Sequence, residues 1–128
     1  MYAPQKQYQA LSVASRIEAA GPHELVQILY EELLRALDVL RTAMQQGKPE
    51  IVRASRERAS SILLALEASL DFEKGGELAR NLSGIYRSMQ SEIGRALSDQ
   101  DTSRLQEVRK GVADLLGAWV HIALRAAA

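Results

Sequence analysis

Leu70-Asp71-Phe72-Glu73-Lys74-Gly75-Gly76-Glu77-Leu78-Ala79-Arg80-Asn81-Leu82-Ser83-Gly84-Ile85-Tyr86-Arg87-Ser88-Met89 is the stretch on which the fold turns. Apolar residues before it recur at helical spacing, two adjacent glycines interrupt it, and the same spacing restarts at Leu78. Glycine takes positive φ with no Cβ penalty, so the pair predicts the end of one helix and the start of the next. A helix, a hinge and a new helix in mid-chain make the flanking segments their antiparallel partners.

Toward the N-terminus, Val52, Ala59, Ile62, Leu63, Leu66 and Leu70 form the stripe of a helix that Pro49 opens, predicted over 49–72. Before it, Gly21-Pro22 opens a helix over 22–46, with Glu24 in its positive first turn and Gly47 as a C-terminal cap. Its stripe is Val26, Leu29, Tyr30, Leu33, Leu37, Leu40 and Met44. Toward the C-terminus, Leu78, Leu82, Ile85, Tyr86, Met89, Ile93 and Leu97 give a third stripe over 76–98. After a turn at Ser98 to Thr102, a last helix over 102–126 carries Leu105, Val108, Val112, Leu115, Leu116, Trp119 and Ile122 on one face. The expectation is an all-α fold, an antiparallel up-down-up-down four-helix bundle over 21–128. Residues 1–20 are then a mobile or short-helical N-terminal arm, because so short a helix is marginal alone in water.

A chain of 128 residues is one domain with a real core. Apolar content of 47% with 5% aromatics suits helices better than sheets. Sixteen basic residues balance sixteen acidic ones, so no net field gathers nucleic acid or an anionic membrane. Affinity must come from shape and apolar surface. The absence of cysteine removes disulfides, thiol catalysis and thiolate metal sites. Met1 to Ile17 lacks the basic start and apolar run of a secretory signal, and Leu115 to Leu124 is about half of a membrane span. A soluble protein is expected.

Helical bundles can be enzymes, and residue types decide against it here. A di-iron site needs paired Glu-x-x-His units, but Ala20 and Ala118 stand three before His23 and His121. His23-Glu24 meets Gln27, not a second histidine, at the zincin spacing. His23 begins a helix and His121 ends one, so neither resembles the mid-helix histidine of a phosphorelay; they read as a first-turn surface residue and a flank residue. Gly47-Lys48 and Gly75-Gly76 lack the strand and spacing of phosphate loops, and the sequon Asn81-Leu82-Ser83 lies inside a helix. No catalytic, cofactor-binding or metal-binding residue is assigned.

A second pattern lies off the core stripes. At about 100° per residue, Ile28 and Val39 point away from the stripe of the first long helix, with Leu25 on its flank. Leu64 does the same on the second, and Val120 and Leu124 on the last, where Ala113 and Gly117 leave a smooth surface. The first and last helices of an up-down bundle are neighbours, so these residues describe an apolar groove for an amphipathic partner helix, a homodimer interface, or a dock for the arm. Scattered apolar exposure, normal on any surface, is the remaining option. With Tyr8 of the arm, these nine residues are the partner-binding candidates.

Tyr8-Gln9-Ala10 with Val13, Gly21-Pro22-His23-Glu24-Leu25-Val26-Gln27-Ile28-Leu29-Tyr30, the run from Leu70-Asp71 through Gly75-Gly76-Glu77 to Asn81-Leu82 and Ile85-Tyr86, and finally Trp119 share one further property. In order, spacing and total length they resemble the flagellin-specific export chaperones of bacteria, the FliS family. Ser88 departs from that pattern where an aromatic is usual, and Arg53-Ala54-Ser55-Arg56-Glu57-Arg58 is unusually basic. The resemblance implies a chaperone of the bacterial cytosol. It would bind the disordered C-terminal segment of flagellin, prevent premature polymerisation and hold the subunit for type III export. It further implies flagellin and a component of the flagellar export apparatus as partners, and neither cofactor, nucleic acid nor membrane insertion. The reading set against it is a self-associating helical adaptor or regulator with no disordered client.

Overall fold

A computed structural model describes residues 13–127, with side chains described through Ile122. These residues are helical apart from short connections: α1 over 13–19, α2 over Pro22–Gln46, α3 over Pro49–Ala68, α4 over Phe72–Asp99 and α5 over Thr102–Ala127. No strand occurs among the described residues. The fold is all-α, a helical bundle.

Local chemistry sets the boundaries. Pro22 and Pro49 stand in the first turns of α2 and α3, where a missing N–H is harmless, and Glu24 and Glu50 face the positive helix ends. Gly47, at φ 63°, closes α2 in the left-handed region and lets the Lys48 N–H donate to the Ala43 carbonyl at 3.0 Å. Gln100, at φ 51°, closes α4 in the same conformation without being a glycine. The Asp101 carboxylate then accepts the Ser103 N–H at 3.0 Å at the start of α5, and the Ser103 hydroxyl holds its pKa below the usual carboxylate value.

The hinge is built differently from the sequence expectation. The second long helix stops at Ala68, not residue 72, and α4 opens with one turn from Phe72 that breaks at Gly76 before the long run resumes. The Ser69 hydroxyl donates to the Leu66 carbonyl at 2.7 Å, and one oxygen of Asp71 accepts the N–H groups of Glu73 and Lys74, each at 3.0 Å. Asp71 is thus an N-cap that starts a new turn ahead of the glycines. Gly76, at φ 51° and ψ −124°, kinks α4 instead of ending α3. A Cβ on Gly75 would meet the Ala79 Cβ at 2.9 Å, so this first turn packs against the next without side-chain cover.

The long helices form a ring in chain order. Among the described residues the backbone of α2 comes close to α3 and α5, and that of α4 to the same two, while only side chains meet across a diagonal, as Tyr30 of α2 does Tyr86 of α4. Glu32 meets Arg58; Glu67 meets Arg87 while Ser60 meets Gln90; Glu92 meets Arg104; His23 meets Trp119 while Asp38 meets Arg109. Between α3 and α4, and between α2 and α5, numbers rise on one helix as they fall on the other, so these neighbours run antiparallel. Inside the ring lie Leu33, Leu37 and Leu40 of α2, Leu63 and Leu66 of α3, Tyr86 and Ile93 of α4, and Leu105 and Val112 of α5. Each such side chain contributes about 1.5–3 kcal/mol of burial.

Candidate functional site

The seam between α2 and α5 is fastened along its length. The His23 ring stacks on Trp119, with centroids 4.3 Å apart and planes at 12°. Trp119 Nε1 donates to the His23 carbonyl at 2.8 Å, and His23 Nε2 lies 3.3 Å from the Trp119 carbonyl. His23 is therefore half-buried in an inter-helix clasp, not the surface residue its position suggests. The Tyr30 ring meets Trp119 edge-on at 6.4 Å. Its hydroxyl lies 2.6 Å from that of Tyr86, so two buried phenols satisfy each other across the ring. Burial pushes the pKa of both above the ordinary 10.0. Further along, Arg109 grips Asp38 with two nitrogens at 2.6 and 3.2 Å, and the hydrogen bond to Asp38 raises the pKa of the guanidinium. Arg16 of α1 bonds Glu31 of α2 at 3.1 Å, which lays α1 against the outer face of α2.

The seam between α4 and α5 is open. A groove of about 230 Å³ lies between Ile85 and Met89 of α4 and Val108 of α5, with Glu92 and Glu107 on its rim. Gly111 lets the tip of Met89 approach, since a Cβ there would sit 3.2 Å from Met89 Cε. Beyond this groove, further large apolar side chains of α4 and α5 are exposed. Leu78 is 64% exposed, Ile122 53% and Ile85 39%. Leu78, Ile85 and Ile122 all belong to the stripes expected to fill the core, and here that expectation fails. The buried line of α4 runs through Ala79, Ser83, Tyr86 and Ile93, so Leu78 and Ile85 fall on the edge of a stripe wider than its neighbours cover. Stripe width was the signal available in the sequence.

On the opposite side of the ring, Val39 and Ala43 of α2 and Ile51 of α3 line a second groove of about 310 Å³, with Val39 and Ile51 exposed. Between Glu24 and Arg35 the outer face of α2 is occupied differently: Glu32 is buried and bonded by Arg35 and Arg58.

The sequence-derived candidates divide accordingly. Val39 lines the groove between α2 and α3. Leu64 is exposed but lies on the flank of α3 that carries Ser60 and Glu67 toward α4, away from both grooves. Ala113 and Val120 are half-buried on the flank of α5 that turns Arg109 to α2, Gly117 is exposed and Leu25 half-buried. Ile28 is a correction: only 1% exposed, it is buried outside the contiguous core, one turn from the Glu31 that Arg16 of α1 holds. The wheel placed Ile28 off the main stripe and gave no sign of its burial. Tyr8 and the Leu124 side chain lie outside the described residues.

Among the described residues no group of three His, Asp or Glu side chains is placed to hold a metal ion. Nor is any helix among them long and apolar enough to cross a membrane. Self-supporting helices with apolar grooves on two opposite faces define a binding scaffold, a class to which helical chaperones and adaptors belong. The family model described as Flagellar protein FliS matches residues 4–126, and the chain belongs to the FliS family. The flagellar secretion chaperone FliS of Vibrio cholerae is 32% identical over 115 residues, 90% of this chain and 85% of that protein. FliSB of Pseudomonas aeruginosa, also a flagellar secretion chaperone, is 35% identical over 89% of this chain and 90% of its own length. FliS of Salmonella typhimurium is 33% identical over 94% of this chain and 90% of its own. FliS is a family of chaperones, not of enzymes, and membership supports an export chaperone role.

Proposed function

We propose that this protein binds the disordered C-terminal segment of flagellin in the bacterial cytosol. In that state it prevents premature polymerisation and presents the subunit to a component of the flagellar type III export apparatus. The observation that carries the reading is the pair of open apolar grooves on opposite faces of the ring. A rigid partner cannot reach both, whereas an unfolded segment can. Four helices of about 10 Å diameter make a ring roughly 20 Å across. Passing round one side takes some 30–40 Å, or about ten extended residues at 3.3–3.6 Å each. Adding about three helical turns in each groove gives a client of roughly 30–40 residues. Such a segment orders only on binding, and that entropic cost keeps a large apolar interface releasable at the export gate.

Calorimetry and far-ultraviolet circular dichroism test this with the C-terminal forty-odd residues of the host's flagellin. Micromolar binding with a gain in helix supports the reading, and no heat at micromolar concentration removes it. The same grooves on a chain of zero net charge also favour self-association, the basis of the adaptor reading. Sedimentation at rising concentration separates the two, because a dimer that flagellin peptide fails to dissociate or occupy supports the adaptor.

A further inference from the structure

We propose that the end of the bundle where α2 turns into α3 and α4 turns into α5 is a second docking site, taking an acidic amphipathic segment of a partner protein. A cavity of about 690 Å³ opens there. Its floor is apolar, formed by Met44, Val52 and Leu97, all partly buried and packed on the core. Its rim is basic: Lys48, Arg53 and Arg56 line it, and no aspartate or glutamate does.

These cations are largely uncommitted. Arg53 reaches only Glu50, at 3.5 Å with both side chains mostly exposed, a pair worth little in water. Lys48 and Arg56 make no ion pair among the described residues, and the Arg56 guanidinium lies near Gly94, crossing from α3 to α4. Asp99 and Asp101, which flank Gln100 on the far wall, are taken up by Arg104 and Ser103. A chain with zero net charge therefore carries a local excess of positive charge over an apolar floor.

The arrangement fits a peptide better than a small molecule. Small-ligand sites orient their guests with polar groups converging inside the pocket. Here the charged groups sit at the exposed rim, with Gln45, Gln100 and Thr102 beside them, and the side chains of Met44, Val52 and Leu97 offer only carbon and sulfur, the anatomy of a protein interface with an apolar centre and polar edge. The complementary occupant is a helix or turn with leucine-like anchors flanked by aspartate or glutamate. The groove between α4 and α5 has the opposite character, with Glu92 and Glu107 on its rim, so the two sites sort partners by charge.

The test uses the free chain first, so it does not depend on the flagellin reading. A short synthetic helix with leucines at i and i+4 and glutamates on its remaining face is titrated by fluorescence polarisation, beside the same helix with lysines. Amide shifts are mapped in parallel by nuclear magnetic resonance. The expected result is binding of the glutamate helix alone, weakening with salt, with shifts concentrated around Ala43–Arg56 and Leu97–Thr102. The double variant Arg53→Glu, Arg56→Glu, both positions being exposed, should lower affinity about tenfold with unchanged helix content. Equal binding of both helices, shifts confined to the α4 and α5 groove, or an unaffected double variant would overturn the proposal. Repeating the titration with saturating flagellin peptide decides who the occupant is. Undiminished binding assigns the cavity to a second partner, and displacement assigns it to flagellin and ends the proposal.

Discussion

The two flanks of α5 meet their neighbours in opposite ways. Toward α2 the helix is held by an aromatic stack, a doubly bonded ion pair and a tryptophan N–H aimed at a carbonyl. Toward α4 it leaves a groove open at Ile85 and Met89, and Ile122 of α5 and Leu78 of α4 are both exposed. Directional polar contacts fix one register between two helices and exclude others, whereas apolar surface accepts any partner of about the right shape. The fastened flank serves the fold. The open flank leaves apolar area uncovered.

That contrast can be broken by substitution. The largest effects belong to positions that are closed. Leu105→Ala, at a side chain 1% exposed, is expected to cost about 2–5 kcal/mol in chemical denaturation. Ile28→Glu, which buries an unpaired charge, is expected to cost at least as much, by several kcal/mol. A near-native midpoint for Ile28→Glu would mean that α1 swings away at little cost. Next come the open positions: Leu78→Glu with Ile122→Glu is expected to leave the midpoint within about 0.5 kcal/mol and to weaken flagellin-peptide binding tenfold or more. Loss of stability there would show that the groove belongs to the core.

A smaller effect is set by pH at the phenol pair that joins α2 to α4 across the ring. The phenols of Tyr30 and Tyr86 have native pKa values above 10.0, so the unfolded chain releases these protons first. Their contribution is complete below about pH 10 and is lost as pH rises beyond it. Replacing both by phenylalanine should cost about 1 kcal/mol at neutral pH and flatten the alkaline decline, measured as denaturation midpoints from pH 8 to 11. The smallest change is Gln100→Gly, which relieves a left-handed residue at the end of α4 and is expected to add up to about 1 kcal/mol.

Much of this architecture was legible in the sequence for a reason that the exceptions expose. Pro22, Pro49 and Gly47 carry their structural meaning in their own covalent chemistry, and the structure uses each as read. The hinge holds one turn more than the glycines announce, because the Asp71 side chain captures two N–H groups and starts a helix ahead of the break at Gly76. Leu78 and Ile85 were assigned to the core because periodicity reveals which face is apolar, not how much of that face a neighbour covers. The clasp between His23 and Trp119 joins residues 96 apart in sequence, a distance no local pattern reports. The groove is hardest to read from sequence because apolar surface left open has the same composition as apolar surface that is covered.

The ring has a further consequence in time. Three of its seams join helices consecutive in the chain, and short loops let those close with little entropy cost. The seam between α2 and α5 alone must gather chain ends separated by the whole bundle, so it closes last, after the consecutive seams have formed. The same seam carries the polar fasteners, which makes them brakes on unfolding more than accelerators of folding. Asp38→Ala should therefore leave the refolding arm of a chevron plot almost unmoved and raise the unfolding arm, setting how long the assembled ring persists between openings.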